Sequence, residues 1–418
     1  MKTRVPNNNL VPEIKPRDDD RVRQVRRYKL ITPLFGGGVE PNKADPITIV
    51  RGTGVRGHLR FWWRATRGGQ FNGDLEDMRK AEEAIWGSAV AKDKPRPSNV
   101  IISVEILNRG KPFQAVDNKG KTIPNIGDVK SIYSYVAFPL RDDTSNPPVL
   151  QDVEFELTIC YPSKWKQDVE AALWAWEIFG GLGARTRRGF GALQLTSIDG
   201  KPEKLPNIEQ FQTWVSNGLK THVISGRWPE GVPHLTPNVS FVLVPKGGKA
   251  NTIEAWRYLT DKLKTFRQWR PDKSGRPYGR SKWPEADEVR RLTGTASPGH
   301  SPSHPVHKFP RGQFGLPIIF HFKDENRGDP SQTTLQGGSS DRFASALILR
   351  PLGCADGAVG LALRLVSPKS PPGGYVLKSG DQADSVEVYD LSPSEANQIE
   401  PLNGQTDVLQ ALFNFLKK

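Results

Sequence analysis

The sequence predicts an α+β protein of two domains, each built on an antiparallel sheet that helices cover on one face. Two observations lead to this fold class. At 418 residues the chain is long enough to form a hydrophobic core in each half. Short runs rich in β-branched and aromatic residues alternate with longer segments whose apolar residues recur at helical spacing. This alternation runs through the first half and begins again in the second.

In the first half the predicted elements follow the order β-α-β-β-α-β, with two or more strands between the helices. They are a strand over 23–32, a helix over 53–67, strands over 99–107, 133–140 and 153–161, a helix over 163–179 and a strand over 190–195. In the second helix the apolar stripe consists of Trp165, Val169, Leu173 and Trp176, and Ser163 is the expected N-cap. This order is that of a ferredoxin-like, or RRM-like, domain.

The second half repeats the scheme in a degenerate form. The predicted elements are a strand over 239–244, a helix over 251–269, strands over 316–322, 343–350 and 359–366, and a closing helix over 406–416. Residues 270–315 are basic, rich in Pro and Gly and without periodicity, which predicts a long loop. We therefore expect an N-terminal domain over 1–200, a connector over 201–232 with a short helix at 208–219, and a C-terminal domain over 233–418 with insertions.

Composition favours a polyanionic partner. The chain has 59 Lys and Arg against 45 Asp and Glu, a net charge of +14, and a surplus of this size favours nucleic acid. No apolar run reaches the roughly 20 residues that span a bilayer, and the first 20 residues lack the apolar stretch of a signal peptide. The two cysteines, Cys160 and Cys354, lie in apolar, strand-like contexts typical of reduced thiols. We therefore expect a cytoplasmic protein with no membrane contact.

The predicted first helix carries an arginine-rich face. Four arginines fall within an arc of roughly 80° on a helical projection: Arg56, Arg60, Arg64 and Arg67. No acidic residue lies between positions 51 and 67, so ion pairs within the helix cannot neutralise this face. At the start of the helix, Thr53 and the glycines beside it expose a hydroxyl and backbone N–H groups to which a phosphate can bind. A solvated charged face is the alternative interpretation.

A second basic segment follows the second helix and reads FGGLGARTRRGFG over 179–191, called here the glycine-rich loop. Its glycines allow unusual backbone angles and close approach to a ligand. Its charge and its hydroxyl come from Arg185, Thr186, Arg187 and Arg188. It is not a P-loop, because Gly-x-x-x-x-Gly-Lys-Ser/Thr is absent and the loop follows a helix. Amides with arginines suit a sugar-phosphate chain, and a mobile surface turn is the alternative.

These two segments together resemble the RAMP superfamily of CRISPR effector proteins, and most of all the family of first subunits of the type III-B Cmr complex. The matching stretches are GGVEPNKADPITIVRGTGVRGHLRFWWRATRGG and FGGLGARTRRGFGALQL. Three downstream stretches, RSKWPEADEVRRLTG, FPRGQFGLPIIFHF and DRFASALILRPL, extend the resemblance over most of the chain. The chain departs from the family pattern at Ala346, where related chains carry a proline.

The resemblance implies two ferredoxin-like domains in a multi-subunit ribonucleoprotein that contains other RAMP subunits. It implies binding of single-stranded guide or target RNA near the 3′ end of the guide, with no cleavage of the target, no cofactor and no small-molecule substrate. The residues that match the family's glycine-rich loop are Gly180, Gly181, Gly183, Arg185, Arg187, Arg188 and Gly189. Those that match its basic first-helix region are Lys43, Arg51, Arg56 and Arg60.

Two alternatives stay open beside this non-catalytic role. Some RAMP relatives are metal-independent ribonucleases that use a histidine on the 2′-OH, and His58 is the residue placed for such guide processing. A lone histidine beside Trp62 is, however, more often a packing or contact residue. The other alternative is a protein-docking scaffold with exposed aromatic side chains at Trp269, Tyr278 and Trp283.

The 270–315 segment contains two further groups of polar residues. Four of them are candidates for RNA contacts in the second domain: Arg270, Arg276, Arg280 and Lys282. His300, His304 and His307 lie close together in the sequence, but their flanks are rich in proline and contain no nearby acidic ligand. No Cys/His spacing supports a zinc site either. We therefore expect no metal.

Overall fold

The computed structural model of the chain describes residues 20–36, 47–88, 95–140, 149–270 and 280–418. The elements of the first half are β1 (Arg21–Leu30), α1 (Gly52–Arg67), α2 (Leu75–Trp86), β2 (Ile101–Pro112), β3 (Ala115–Val116), β4 (Thr122–Ile123), α3 (Ser134–Ala137), β5 (Leu150–Pro162), α4 (Lys166–Phe179), β6 (Leu193–Ile198), β7 (Lys201–Pro202) and α5 (Ile208–His222). Those of the second half are β8 (Phe241–Lys249), α6 (Thr252–Gln268), α7 (Glu285–Thr293), β9 (Ile318–Phe320), β10 (Thr333–Gly337), β11 (Leu347–Cys354), β12 (Gly357–Arg364), β13 (Tyr375–Ser379), β14 (Gln382–Ser385), α8 (Pro393–Gln398) and α9 (Val408–Leu416).

The first sheet has the strand order β2-β5-β1-β6-β7, and its strand pairs are antiparallel. The chain reaches its main elements in the order β1, α1, β2, β5, α4, β6, which is the predicted β-α-β-β-α-β succession. Strand β5 shows why one face is covered: its odd-numbered residues from Val153 to Tyr161 are buried, and the residues between them are half exposed. Helices α1 and α4 pack side by side against the buried face, where Tyr28 of β1 stacks on Phe155 of β5.

The opposite face of this sheet is open and carries charges of both signs. Arg27 of β1 lies beside Glu156 of β5, with an N–O distance of 3.8 Å. Thr158 and Ser103 also face outwards, in register with each other. Among the described strands β1, β2, β5 and β6, no aromatic residue alternates towards this face.

The second half contains a smaller sheet with the order β11-β12-β8, which α6 and α9 cover. The elements of this sheet and its helices follow in the order β8, α6, β11, β12, α9, with α7, β9 and β10 inserted before β11. A strand forms within the predicted stretch 316–322, but it does not join the sheet of the predicted second domain. The strand observed there, β9, belongs to a separate sheet of order β14-β13-β10-β9. The strand forms at the predicted place, but its partners lie elsewhere in the sequence.

The strand predicted over 133–140 is also wrong, because this segment forms α3 and a following 3-10 turn. Its buried residues are Tyr133, Val136, Ala137 and Leu140, a spacing of three, one and three that fits a helix and not a strand. Tyr133 stacks on Trp256 of α6, with ring centres 4.7 Å apart. The segment therefore packs between the two halves.

Residues 280–315 are more ordered than the predicted long loop. They contain α7 and a 3-10 turn over Pro310–Phe314, and Trp283 is 1% exposed. The sequence of α7 showed no apolar periodicity, and its acidic and basic residues form ion pairs within the fold. The Arg290 guanidinium donates two hydrogen bonds to the Asp329 carboxylate, each 2.9 Å long. Such pairing over 39 positions is invisible to local pattern analysis.

The predicted N-cap of α4 is wrong. Ser163 does not cap α4: a 3-10 turn comes first, and the Ser163 hydroxyl donates to the Asp20 carboxylate. Trp165 occupies the N-cap position without a capping side chain.

Cys354 is buried and Cys160 half buried, and neither forms a disulfide. Within the described ranges, every helix is too short or too polar to cross a bilayer.

Candidate nucleic-acid interface

Helix α1 begins without acidic residues near its N-terminus. Arg51 is the N-cap residue, with an extended backbone and no capping side-chain hydrogen bond, and the first turn is free of carboxylates. Thr53 and Gly54 are exposed there. The positive end of the helix dipole therefore faces solvent beside the arginine-rich face. Lys43, the other residue predicted for this region, lies outside the described residues.

Three of the four helix arginines have carboxylate partners from neighbouring helices. Glu82 of α2, which is 5% exposed, accepts from Arg60 Nε and Arg64 Nη1, each at 2.6 Å. Arg67 lies 3.5 Å from the carboxylate of Asp168 in α4. The sequence rightly excluded ion pairs within α1, because α1 contains no acidic residue. It did not exclude ion pairs with carboxylates from other helices. Arg60, Arg64 and Glu82 together carry one net positive charge.

Arg56 differs from these three arginines. Its guanidinium makes no ion pair or hydrogen bond to any residue in the described ranges, and its Nε atom is buried. Nothing in the described part of the chain therefore offsets its charge. Among the four predicted arginines of α1, Arg56 is the one without an ion pair to a described residue.

The glycine-rich loop is packed against its neighbours. Gly183 has a φ of +77°, and a Cβ there would lie 2.4 Å from the carbonyl oxygen of Phe35. At Gly189, with a φ of +83°, a Cβ would lie 2.6 Å from Cδ1 of Trp256. Thr32 adds a hydrogen bond of 2.6 Å from its hydroxyl to the Gly189 carbonyl. The glycines at these two positions therefore let the loop approach other parts of the protein closely. From the sequence, we expected this close approach to be to a ligand.

Two arginines of this loop bind the second half of the chain. Arg187 donates to the Ser345 carbonyl oxygen, and Arg188 donates to those of Leu347 at 3.2 Å and Phe314 at 3.3 Å. These carbonyl groups accept the hydrogen bonds but do not cancel the positive charges. Burial, followed by repulsion from Arg267 and Arg185, lowers the pKa of Arg188 to about 9.

Arg185 and Arg267 complete a group of four that we call the arginine cluster: Arg185, Arg187, Arg188 and Arg267. Arg267 projects from α6 with its guanidinium carbon 5.1 Å from the ring centre of Phe314. Arg185 lies 5.4 Å from the ring centre of Phe138, an exposed aromatic residue. Within the described residues, no carboxylate forms an ion pair with any of the four, and the Nε atoms of Arg185 and Arg267 are buried without an acceptor. Burial, followed by repulsion from Arg267, lowers the pKa of Arg185 to about 10.

A pocket of about 170 Å³ lies where α1 meets the glycine-rich loop. Its lining residues are His58, Phe61, Trp62, Phe179, Gly180, Gly181, Thr186, Arg187 and Ile348. The two segments that the sequence singled out separately therefore share one site. Burial lowers the pKa of His58 to about 4, so its imidazole is neutral at pH 7.

The basic residues predicted for the second domain are arranged differently. Arg280 pairs with Asp287 and donates to the His300 carbonyl at 3.2 Å. Arg270 and Lys282 are exposed near the end of α6, and the Lys282 amide donates to the Trp269 carbonyl. Arg276 lies outside the described residues.

Carboxylates do approach His300, contrary to the expectation that the histidines lack acidic neighbours. His300 Nδ1 lies 3.1 Å from Asp329 Oδ2 and 3.8 Å from Asp324 Oδ2. The Asp329 carboxylate is already held by the Arg290 guanidinium, whose hydrogen bonds keep the pKa of this carboxyl well below its usual range. A cation here would meet the positive charge of Arg290.

Sequence reasoning missed Arg267 and Arg350. Arg267 follows Phe266 of the apolar stripe in α6, and only the packing of α6 against the glycine-rich loop brings it to the cluster. Arg350 is fully buried in β11 and donates to the carbonyl oxygens of Gly180 and Leu193. An arginine inside a run as apolar as LILRPL was the available signal.

The sequence also matches known proteins. A sequence model of the RAMP superfamily matches residues 27–194. The chain is 30% identical over 185 residues to the CRISPR system Cmr subunit Cmr1-2 of Pyrococcus furiosus, in an alignment that covers 40% of this chain and 92% of that protein. The chain belongs to the RAMP superfamily. This RAMP protein is also 28% identical over 149 residues to the Cmr subunit Cmr1-1 of the same organism, covering 35% of this chain and 40% of that one.

Two solved structures resemble this RAMP protein. One is the crystal structure of Cmr1 from Pyrococcus furiosus in its apo form, with a TM-score of 0.49 and 19% identity over 83% of this chain and 88% of that one. The other is a chain of the type III-B Cmr-beta structure bound to cognate target RNA, with a TM-score of 0.45 and 14% identity over 94% of this chain and 99% of that one.

Proposed function

We propose that this chain is a non-catalytic RNA-binding subunit of a type III-B Cmr ribonucleoprotein, built from two ferredoxin-like units. It contacts single-stranded guide or target RNA near the guide 3′ end, beside other RAMP subunits. The observation that carries the proposal is the arginine cluster, which holds four positive charges without a carboxylate partner among the described residues. Removing positive charges from water is costly unless anions approach them. A phosphate backbone supplies such anions.

The route of the RNA follows from where charge is left unbalanced. We place the backbone along the arginine cluster and the outer side of α1, past Arg56 and the open helix start at Thr53. Arg60, Arg64 and Arg67 contribute less there, because Glu82 and Asp168 offset their charge. The open face of the first sheet is an unsuitable platform, since its outward positions on the described strands carry mixed charges and no aromatic ring for base stacking.

Three observations weigh against the ribonuclease alternative. His58 is neutral, with its pKa lowered to about 4, so it cannot supply a proton to a leaving group at pH 7. Arg187 is the other titratable side chain among the residues that line its pocket. Its guanidinium is held by the Ser345 carbonyl. An acid–base pair for cleavage is therefore missing from the described lining of this pocket.

The scaffold alternative loses its expected docking patch. Trp283 is buried, and its Nε1 donates to the Phe266 carbonyl at 2.9 Å. Trp269 is half buried and donates to Glu400 at 3.1 Å. Tyr278 lies outside the described residues. The two aromatic side chains that the structure describes are thus used inside the fold.

The test is the salt dependence of RNA binding by the double variant Arg56→Gln/Arg185→Gln. Neither arginine has an ion-pair partner in the described ranges, so the fold should tolerate their removal. For single-stranded RNA, each lost phosphate contact should reduce the slope of log K against log salt by about 0.7, and the pair by about 1.4. Fluorescence anisotropy with a labelled single strand, between 50 and 300 mM salt, gives the slope.

The matched control is Arg79→Gln/Arg327→Gln, which removes two arginines whose side chains are 60% and 80% exposed outside the proposed surface. We expect it to leave the slope unchanged. An unchanged slope in the test variant, or an equal fall in both, contradicts the proposed surface. Incubation with labelled repeat RNA, with and without a chelator, should show no cleavage; a cut that disappears in His58→Ala would establish the ribonuclease.

A further inference from the structure

Aromatic side chains make up part of the lining of the pocket between α1 and the glycine-rich loop. Phe61 and Trp62 of α1 and Phe179 of α4 line it, beside Gly180 and Gly181. With about 170 Å³, it is smaller than the roughly 300–1,000 Å³ of sites for drug-sized ligands. It suits one flat group and not a whole nucleotide.

Polar groups without partners converge on the same pocket. His58, Trp62 and Thr186 line it, and their polar side-chain groups make no hydrogen bond to a residue in the described part of the chain. Trp62 is 3% exposed. A ligand that displaces water from these groups has to offer them hydrogen-bond partners, because polar groups buried without a partner are destabilising.

We propose that this pocket receives one unpaired nucleobase of the bound RNA. The proposal rests on the proposed function, because it assumes that RNA follows the arginine cluster. Aromatic walls favour the face of a base, and the unpartnered groups match the donors and acceptors on its edge. A neutral imidazole both donates and accepts, as base recognition requires, and offers no charge to a phosphate.

The arrangement of charge around the pocket supports a base inside it and a phosphate outside. Arg187 is one of its lining residues, with its guanidinium carbon 5.9 Å from the ring centre of Phe61. Among the described lining residues, Arg187 is the only one that carries a charge at pH 7. A nucleotide can therefore insert its base while its phosphate meets Arg187 and the rest of the arginine cluster.

The experiment moves a single abasic site along a bound RNA strand, one position at a time, and measures the affinity of the full-length chain for each strand. Loss of one stacked base should weaken binding about 5-fold to 100-fold at one position and little elsewhere. A 2-aminopurine placed at that position should change its fluorescence on binding, because its stacking partners change.

The variants His58→Gln and Thr186→Val then identify the pocket. Each should reduce the penalty of the abasic site at that position, because the base has fewer contacts to lose there. The matched controls are His321→Gln at an exposed position and Thr158→Val on the open sheet face, and both should keep the full penalty. Thermal unfolding of each variant verifies that the fold is intact.

The possible outcomes are distinct. A penalty confined to one position, and reduced in both pocket variants, supports the proposal. Equal affinity at every abasic position, with binding that still depends on salt, overturns the base pocket and leaves the proposed function intact. A one-position penalty that the pocket variants keep in full also overturns it. Absence of any RNA binding contradicts the proposed function itself.

Discussion

Replacing Arg350 by leucine tests how the second half holds the glycine-rich loop. The guanidinium is fully buried and donates to the carbonyl oxygens of Gly180, at 2.7 Å, and Leu193, at 2.6 Å. Leucine would leave both carbonyl groups buried without a donor, at about 1–3 kcal/mol each. Removing a buried cation, whose pKa burial has lowered to about 9, offsets part of this cost. We expect a net loss of about 2–4 kcal/mol.

Thermal unfolding measures this loss. For domains of 150–250 residues, 1 kcal/mol corresponds to about 2–4 °C, so Arg350→Leu should lower Tm by about 4–16 °C. The control is Arg364→Leu, which breaks the ion pair with Asp407 between two half-exposed side chains. Such a pair contributes about 0–1 kcal/mol. Equal Tm values for Arg350→Leu and the wild type, or equal losses in both variants, would refute the reasoning.

Two further predictions separate charge from folding at the same site. Arg185 has a φ of +59°, a left-handed conformation that costs a residue with a Cβ about 1–2 kcal/mol. Because glycine avoids this cost, Arg185→Gly should unfold at the same temperature as the wild type or slightly higher. It should also bind RNA more weakly, because one positive charge is lost. Calorimetry with anisotropy checks both, and a lower Tm with unchanged affinity contradicts the assignment. Because the pKa of His58 is lowered from 6.5 to about 4, the unfolded chain binds more protons between these values, and the free energy of unfolding falls as pH drops from 6.5 to 4. Urea titrations should show this fall reduced by about 1–3 kcal/mol in His58→Gln, and parallel pH profiles of the two proteins would show that His58 is not buried.

The sequence predicts α1, α4 and most strands of both halves because their patterns are local. The apolar stripe of α4 and the alternation in β5 are set by burial on one side, which periodicity detects. The segment 133–140 was misassigned because its aromatic and β-branched residues suggested a strand. Its contact with Trp256, more than 100 residues away, favours the helix.

The sequence predicted which segments supply the basic residues of the candidate site. It did not predict which of these arginines have carboxylate partners. Both basic segments are visible in the sequence, and the structure joins them at one pocket. Which arginines are neutralised depends on Glu82, which lies 22 and 18 positions from its partners, and on Asp168. The contribution of Arg267 depends on how α6 packs against the loop. Long-range pairing of this kind leaves no local pattern to detect.

The hydrogen bonds from Arg187 and Arg188 to Ser345 and Leu347 have a consequence for synthesis of the chain. The acceptors are made about 160 residues after the donors, so the loop leaves the ribosome with its cations still hydrated. Their water is lost only when β11 docks, and that step brings like charges together without a carboxylate partner in the described part of the chain. An RNA strand present at this moment would stabilise the docked state by binding it preferentially. Under the proposed function, completion of the fold and loading of RNA would thereby be coupled in time.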